Sequence, residues 1–293
     1  MSTQHASDCR FLVAPDYYLL RLVGEDVPYG DTTTLSLGIG GLEGEARVYT
    51  REDIVASSVE EAARIYELLG SRVLEMVPSG TMAGRGEMLL RVRGKASSLH
   101  TVWRAAQLII AFSSGVATYT RRMVEKASSL NGGPVIATTR KAPLGAKHYY
   151  VKGVLCGGGV VHRYGLSDSI LVFENHLRFI SGISVRKAVE LLRKRHPERK
   201  IGVEVKSLEE AIEALDAGAE YIQFEKLKPE EASEAIKALK KRNPHVTVGL
   251  AGGIKLENVE AYARTGADVL VTSAPYSASP ADITTVIDPL SPP

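Results

Sequence analysis

A chain of 293 residues with 44% hydrophobic and 24% charged side chains is long enough for one large or two medium domains, and its composition does not indicate disorder. Its 36 Lys and Arg nearly balance 34 Asp and Glu, and a net charge of +2 with no basic run interleaved with aromatics argues against a nucleic-acid partner. No apolar run approaches the ~18 residues that span a bilayer, and the opening MSTQHASDCR has no apolar signal core, so a cytoplasmic protein without membrane contact is expected. The two cysteines, Cys9 and Cys156, lie far apart and match no metal-ligand spacing. They are expected to be ordinary thiols. Only four Asn and three Gln occur, which hints at heat adaptation.

The first part of the chain reads as mixed α and β. After Pro15, Asp16 to Val23 has helical apolar spacing and runs into EDVPYGDTTT, where Pro28 and Gly30 end any helix. Gly44 to Arg51 alternates as a strand. A helix is expected from Ser57 or Ser58, with Glu60 and Glu61 completing a capping box, to Gly70. Leu89 to Val92 reads as a strand between glycine turns. A further helix is expected from Ser98 through Trp103, Arg104 and Gln107 to the Ser114-Gly115 pair, with a domain boundary there.

Beyond residue 117 the rhythm changes. Strand-like runs alternate with amphipathic helices at intervals of roughly 20 to 35 residues, the mark of βα units and a parallel sheet. Strands are predicted at 135–139, 169–173, 201–205, 221–225, 246–250 and 269–273. Ser207 and Glu210 form a capping box for the helix after the third, and Gly218 ends it. Six strands in this order favour an incomplete α/β barrel, although spacing alone also allows an open doubly wound sheet.

The stretch from Ala137 to His176 concentrates Arg140, Lys141, Lys147, Lys152, His162 and Arg163 in about one eighth of the chain. Pro143, Gly145 and the triplet Gly157 to Gly159 interrupt it, so it is not one solvated helix. Thr139-Arg140-Lys141 closes a strand at its carboxyl end, where barrels and open α/β sheets bind ligands. Glu204 and Glu225 fall inside or at the ends of two later strands. Gly252-Gly253, leading into a helix, fits a phosphate held by backbone N–H groups at the positive helix end. A basic surface loop, exposed ion pairs and plain turns would use the same residue types.

Taken together these segments resemble the quinolinate phosphoribosyltransferase (nicotinate-nucleotide pyrophosphorylase) family of type II phosphoribosyltransferases, nearly end to end. The carrying motifs are Glu25-Asp26 with Gly30-Asp31 and Thr33-Thr34, Ser114 to Thr118, Thr139-Arg140-Lys141, Cys156 to Gly159 with His162-Arg163, Val203-Glu204-Val205, and Gly252-Gly253-Ile254. Within the family the chain is more similar to the molybdenum-transport-associated ModD branch, through EDVPYGD, Trp103-Arg104-x-Ala106-Gln107, Leu171 to Phe173, Phe224-Glu225-Lys226 and Val271 to Tyr276.

The resemblance implies an α/β fold with an N-terminal α/β sandwich over residues 1–116, an open α/β barrel over 117–275, and a tail, 276–293, that returns to the N-terminal domain. It implies a homodimer or larger assembly with shared active sites, Mg²⁺ as cofactor, and transfer of phosphoribosyl from phosphoribosyl pyrophosphate to a nitrogen heterocycle. Carried over by position, Arg104 would enter the partner's site, while Thr139, Arg140, His162 and Arg163 would bind the acceptor. Lys141 would contact the donor. Glu204 and Glu225 would serve the ribose, Mg²⁺ and the developing positive charge. Ala251, Gly252, Gly253 and Ser273 would line the 5′-phosphate pocket, although the family more often has Ser and Gly at the first and last of these. Glu225 and Lys226 replace the usual Asp and Asn, and Phe173 stands where quinolinate enzymes carry Lys. A true quinolinate enzyme of NAD biosynthesis is the nearest alternative, and a non-catalytic ligand sensor on the same fold is one of another class.

Overall fold

The computed structural model describes residues 9–128, 132–180 and 184–290. Two compact units divide them. The first comprises 9–121, 142–158 and 275–290, and the second comprises the described residues of 122–141 and 159–274. Residues 291–293, the end of the expected tail, lie outside the described residues.

In the first unit a 3₁₀ turn at Cys9–Phe11 precedes α1 (Asp16–Asp26), which stops before Pro28 as the sequence predicts. The short α2 (Thr32–Ser36) is capped by Asp31, whose carboxylate accepts from the backbone N–H groups of Thr33 and Thr34. Strands β1 (Glu43–Thr50), β2 (Ile54–Val55), β3 (Arg72–Met76), β4 (Met82–Ala83) and β5 (Met88–Lys95) follow, with α3 (Val59–Leu68) after β2. The C-terminal strand Ile283–Pro289, β1, β5 and β3 form an antiparallel sheet in that order. One face of it buries Ala46, Val48, Leu90 and Val92 against Ala62, Ile65 and Tyr66 of α3.

Three expectations need correction here. The helix predicted to stop at Ser114-Gly115 is α4 (Ala96–Ser128), which runs through both residues. Gly115 is there for close approach: a Cβ on it would collide with the carbonyl oxygen of Ser279. The capping box at Ser58 does not form, because Ser58 has a left-handed backbone and its hydroxyl donates to Ser113 Oγ at 2.9 Å. Glu60 and Glu61 turn instead to Lys152 of α5 (Lys147–Cys156), whose Nζ lies 2.9 Å from Glu60 Oε2 and 2.7 Å from Glu61 Oε2. Nor are the cysteines free thiols. Cys9 and Cys156 form a disulfide with their Cα atoms 5.5 Å apart, across a sequence separation of 147. A pairing so distant leaves no spacing signal to read.

The second unit is built on seven parallel strands. They are β6 (Val135–Thr138), β7 (Val160–Val161), β8 (Ile170–Val172), β9 (Ile201–Val205), β10 (Tyr221–Glu225), β11 (Thr247–Ala251) and β12 (Val269–Thr272). Their spatial order is β7-β6-β12-β11-β10-β9-β8, so two edges stay unpaired and the sheet is open, as expected of an incomplete barrel. All six predicted strands are present, and the two-residue β7 is an addition. Helices α6 (Glu174–Arg178), α7 (Val185–Arg195), α8 (Leu208–Asp216), α9 (Pro229–Arg242) and α10 (Val259–Ala263) connect them. Ser207 caps α8 by accepting from Glu210 N–H at 3.2 Å, and Gly218 follows the helix with φ +95°. No helix among the described residues is long and apolar enough to cross a membrane.

Strand periodicity divides the side chains of β9 and β10 by face. Ile201, Val203 and Val205, with Ile222 and Phe224, are buried on one side. Glu204, Tyr221, Gln223 and Glu225 occupy the other. The register sets Gly202 beside Tyr221 and Glu204 beside Gln223.

The buried ion network of the first unit generates a stability test. Lys152 and Glu61 side chains are each 1% exposed, so Lys152→Met strands a buried carboxylate and is expected to cost about 3 to 5 kcal/mol. Denaturant unfolding reads this directly, and an unshifted midpoint would contradict the assignment.

Candidate active site

A cavity of about 510 Å³ opens at the carboxyl ends of the parallel strands and is lined entirely by residues of the second unit. Its cationic wall follows from two anchored strand ends. Thr139 N–H donates to Thr272 O at 3.0 Å, extending the β6–β12 pairing by one residue, and Lys141 N–H folds back on Thr139 Oγ1 at 3.3 Å. This turn delivers Arg140 and Lys141 to the cavity. His162 N–H donates to Thr138 O at 3.0 Å, which fixes His162 and Arg163 just beyond β7.

Arg163 is only 6% exposed, and its Nη2 donates to Ser169 O at 3.2 Å. Its Nε is buried without a hydrogen-bond partner. Burial lowers its pKa, the neighbouring Arg140 lowers it further, and Asp168 opposes the shift. An anion with two oxygens would relieve this crowding of guanidinium groups. Burial, with Arg163 adding, pushes the His162 imidazole down to about 4. At neutral pH it is therefore an uncharged group with one donor and one acceptor nitrogen.

Glu204 from β9 and Glu225 from β10 face into the same cavity, with Gln223 between them in the sheet register. Burial raises the Glu204 pKa, opposed by the hydrogen bond from Gln223 and reinforced by Glu225. Lys226 Nζ lies 3.6 Å from Glu225 Oε1. Among the described residues no group of three or more His, Cys, Asp or Glu is placed to hold a metal. Two carboxylates nevertheless suit Mg²⁺, which keeps several waters and takes its remaining oxygens from substrate phosphates.

Ala251, Gly252, Gly253 and Ser273 line the cavity beyond β11 and β12. Gly252 and Gly253 have φ of +93° and +75°, and a Cβ on Gly252 would meet Lys226 Cγ at 2.6 Å. Backbone conformation and space both demand glycine at Gly252. The expected helix does not start there, because Asn258 binds this segment as a loop. Its Oδ1 accepts from Lys255 N–H at 2.8 Å and its Nδ2 donates to Gly253 O at 3.0 Å, and α10 begins only at Val259. An anion at this turn would meet the loop backbone and Lys255, also in the lining, rather than a helix dipole.

Phe173 follows β8 and stands in the cavity wall, with the Arg163 guanidinium carbon 5.9 Å from its ring centroid. Arg104 is not in the lining. It is exposed on α4 in the first unit, with its guanidinium 4.0 Å from the Trp103 ring centroid. The structure thus gathers Thr139, Arg140, Lys141, His162, Arg163, Phe173, Glu204, Glu225, Ala251, Gly252, Gly253 and Ser273 in one cavity. Sequence reasoning missed Gln223 and Lys255. For Gln223 a signal was present, since it lies two residues before Glu225 and so shares its face.

Two family models match the chain: "Quinolinate phosphoribosyl transferase, N-terminal domain" over residues 31–114, and the C-terminal domain of the same name over 116–285. A ModD protein of Escherichia coli O6:H1, named as a pyrophosphorylase, is 35% identical over 269 residues, covering 92% of this chain and 95% of its own length. A protein of Methanothermobacter thermautotrophicus named as a carboxylating nicotinate-nucleotide pyrophosphorylase is 31% identical over 252 residues, covering 85% of this chain and 90% of its own. The solved structure of the nicotinate-nucleotide pyrophosphorylase from Francisella tularensis superposes with a TM-score of 0.85 at 25% identity, covering 94% of this chain and 98% of that one.

The buried imidazole can be checked in the free protein. The His162 ring signals are expected to titrate with a midpoint near 4 by NMR, and a midpoint close to the ordinary ~6.5 would contradict the site electrostatics. Because the folded value is depressed, the unfolded chain binds the extra proton between about 6.5 and 4, so this group erodes stability as pH falls through that window.

Proposed function

This chain belongs to the quinolinate phosphoribosyl transferase family, and from that premise we propose that it is a ModD-like enzyme transferring phosphoribosyl from phosphoribosyl pyrophosphate to a nitrogen heterocycle. The observation that carries this reading is a single cavity joining a cationic wall, two strand-end carboxylates and a left-handed Gly-Gly turn. In the reaction a ring nitrogen bonds to the anomeric carbon of the donor as the bond to pyrophosphate breaks, and the pyrophosphate oxygen keeps the electron pair. Positive charge develops on the pentose.

Glu204 and Glu225 are positioned to stabilise that charge and to accept from ribose hydroxyls. Arg140 and Arg163 present guanidinium forks to an acidic substituent of the acceptor, and neutral His162 adds one hydrogen bond. Lys141 and Lys255 suit the donor phosphates, and Ala251, Gly252, Gly253 and Ser273 the 5′-phosphate. Mg²⁺ held through water by Glu204 and Glu225 would offset the charge of the leaving pyrophosphate.

Phe173 shapes the acceptor end. A charge-assisted hydrogen bond is worth about 1.5 to 3 kcal/mol, so an aromatic ring in place of the lysine of quinolinate enzymes is expected to weaken quinolinate binding by roughly one to two orders of magnitude. The ring offers a stacking face to a larger or less acidic heterocycle. The paired guanidiniums favour the second reading, a quinolinate enzyme proper, since they fit a dicarboxylate.

Assembly follows from Arg104. The family resemblance assigns this arginine to a partner's site, and the exposure of Phe11 (71%), Tyr17 (77%), Leu35 (69%) and Leu37 (65%) in the first unit supports an oligomer that covers apolar surface. Inactive Arg104→Ala and Glu204→Gln chains, mixed under conditions of subunit exchange, are expected to recover activity in hybrids. No recovery would count against shared sites.

The donor is tested first. Calorimetry with Mg²⁺ is expected to show phosphoribosyl pyrophosphate binding that Glu204→Gln or Glu225→Gln weakens by about tenfold. Absence of binding to the wild-type protein would remove the transferase reading.

A further inference from the structure

Strand β10 carries a hydrogen-bond chain that ends on a cavity carboxylate. Tyr221 Oη donates to Gln223 Oε1 at 3.0 Å, and Gln223 Nε2 donates to Glu204 Oε2 at 2.7 Å. Chemistry fixes the direction: an ionised carboxylate only accepts, so the amide must turn its NH₂ to Glu204 and its carbonyl to the phenol, whose hydroxyl then donates. Gln223 is 4% exposed, so water does not compete freely for this amide.

The sheet makes room for the chain at the cost of two side chains on flanking strands. Gly202 of β9 lies in register with Tyr221, and a Cβ there would meet Tyr221 Cδ1 at 2.9 Å. Gly249 of β11 lies in register with Gln223, and a Cβ there would collide with Tyr221 Oη. The phenol thus lies across three strands between two glycines. Its ring also packs against His162, with centroids 5.3 Å apart at 44°. A polar residue that merely filled a core would not need a glycine on both neighbouring strands, nor end its hydrogen bonds on a group facing the cavity.

We propose that Tyr221 and Gln223 form a relay that holds Glu204 Oε2 and leaves Oε1 to a ligand hydroxyl, making Gln223 the positioning residue that aims Glu204 at the pentose of the donor. This rests on the phosphoribosyl-transfer reading. Burial, reinforced by Glu204, raises the Tyr221 phenol, which stays protonated and able to donate.

The test reads the Glu204 side-chain conformation from crystal structures of the variants and in parallel measures phosphoribosyl pyrophosphate binding with Mg²⁺ by calorimetry. Gln223→Leu is expected to release the Glu204 carboxylate from its wild-type conformation and to weaken donor binding by about tenfold. Tyr221→Phe, which keeps the ring and its packing, is expected to move both readouts in the same direction by less. The double variant should match Gln223→Leu alone, because the phenol acts only through the amide. A Glu204 conformation unchanged in Gln223→Leu overturns the relay, and a displaced carboxylate with unchanged donor affinity overturns the positioning role. If Gln223→Leu fails to fold, Tyr221→Phe decides by the same two readouts. Should wild-type protein bind no donor, the transferase reading falls, while the Glu204 conformation still judges the relay.

Discussion

Parallel pairing obliges every strand of the second unit to finish on the same edge, and the site depends on that constraint. Seven short strands bring their following residues to one place, although three whole strands and their connections separate Arg140 from the strand that ends in Glu225. The register then distributes chemistry by strand. β6 and β7 end in cations, β9 and β10 in carboxylates, and β11 in glycines. Opposite charges on opposite walls suit a substrate that is anionic at its ends and becomes positive at its centre during reaction.

Within the wall the charges are held apart by position rather than by neutralising pairs. Arg163 has lost water without gaining a carboxylate partner, and burial, with Arg163 adding, keeps its neighbour His162 neutral. Such an arrangement is costly in the free protein, and an entering anion would offset that cost. Glu204 is treated differently, since an internal donor already satisfies one of its oxygens. The first unit spends its charges on structure instead, where Lys152 closes on Glu60 and Glu61 away from solvent.

Much of this was legible in the sequence because parallel strands and their loops are local. The six predicted strands, the cap at Ser207 and the clustering of Arg140, His162 and Glu204 follow from periodicity and from residues at strand ends. What escaped depends on distant approach. The capping box at Ser58 lost its glutamates to Lys152, about ninety residues away, and the Cys9–Cys156 disulfide joins segments with no shared pattern. Gly115 read as a stop because only the tertiary fold shows the carbonyl of Ser279 against it. Gly202, Gly249 and Tyr221 look unremarkable in isolation, and acquire meaning only in register.

The function proposed here is phosphoribosyl transfer to an acceptor other than quinolinate, with Phe173 setting that choice. Its most direct test is pyrophosphate release from phosphoribosyl pyrophosphate and Mg²⁺ over a panel of heterocyclic acids and bases. Release is expected to depend on a nitrogen heterocycle, with quinolinate slower than the best acceptor by about tenfold or more. Efficient formation of nicotinate mononucleotide from quinolinate, ahead of every other acceptor, would contradict it.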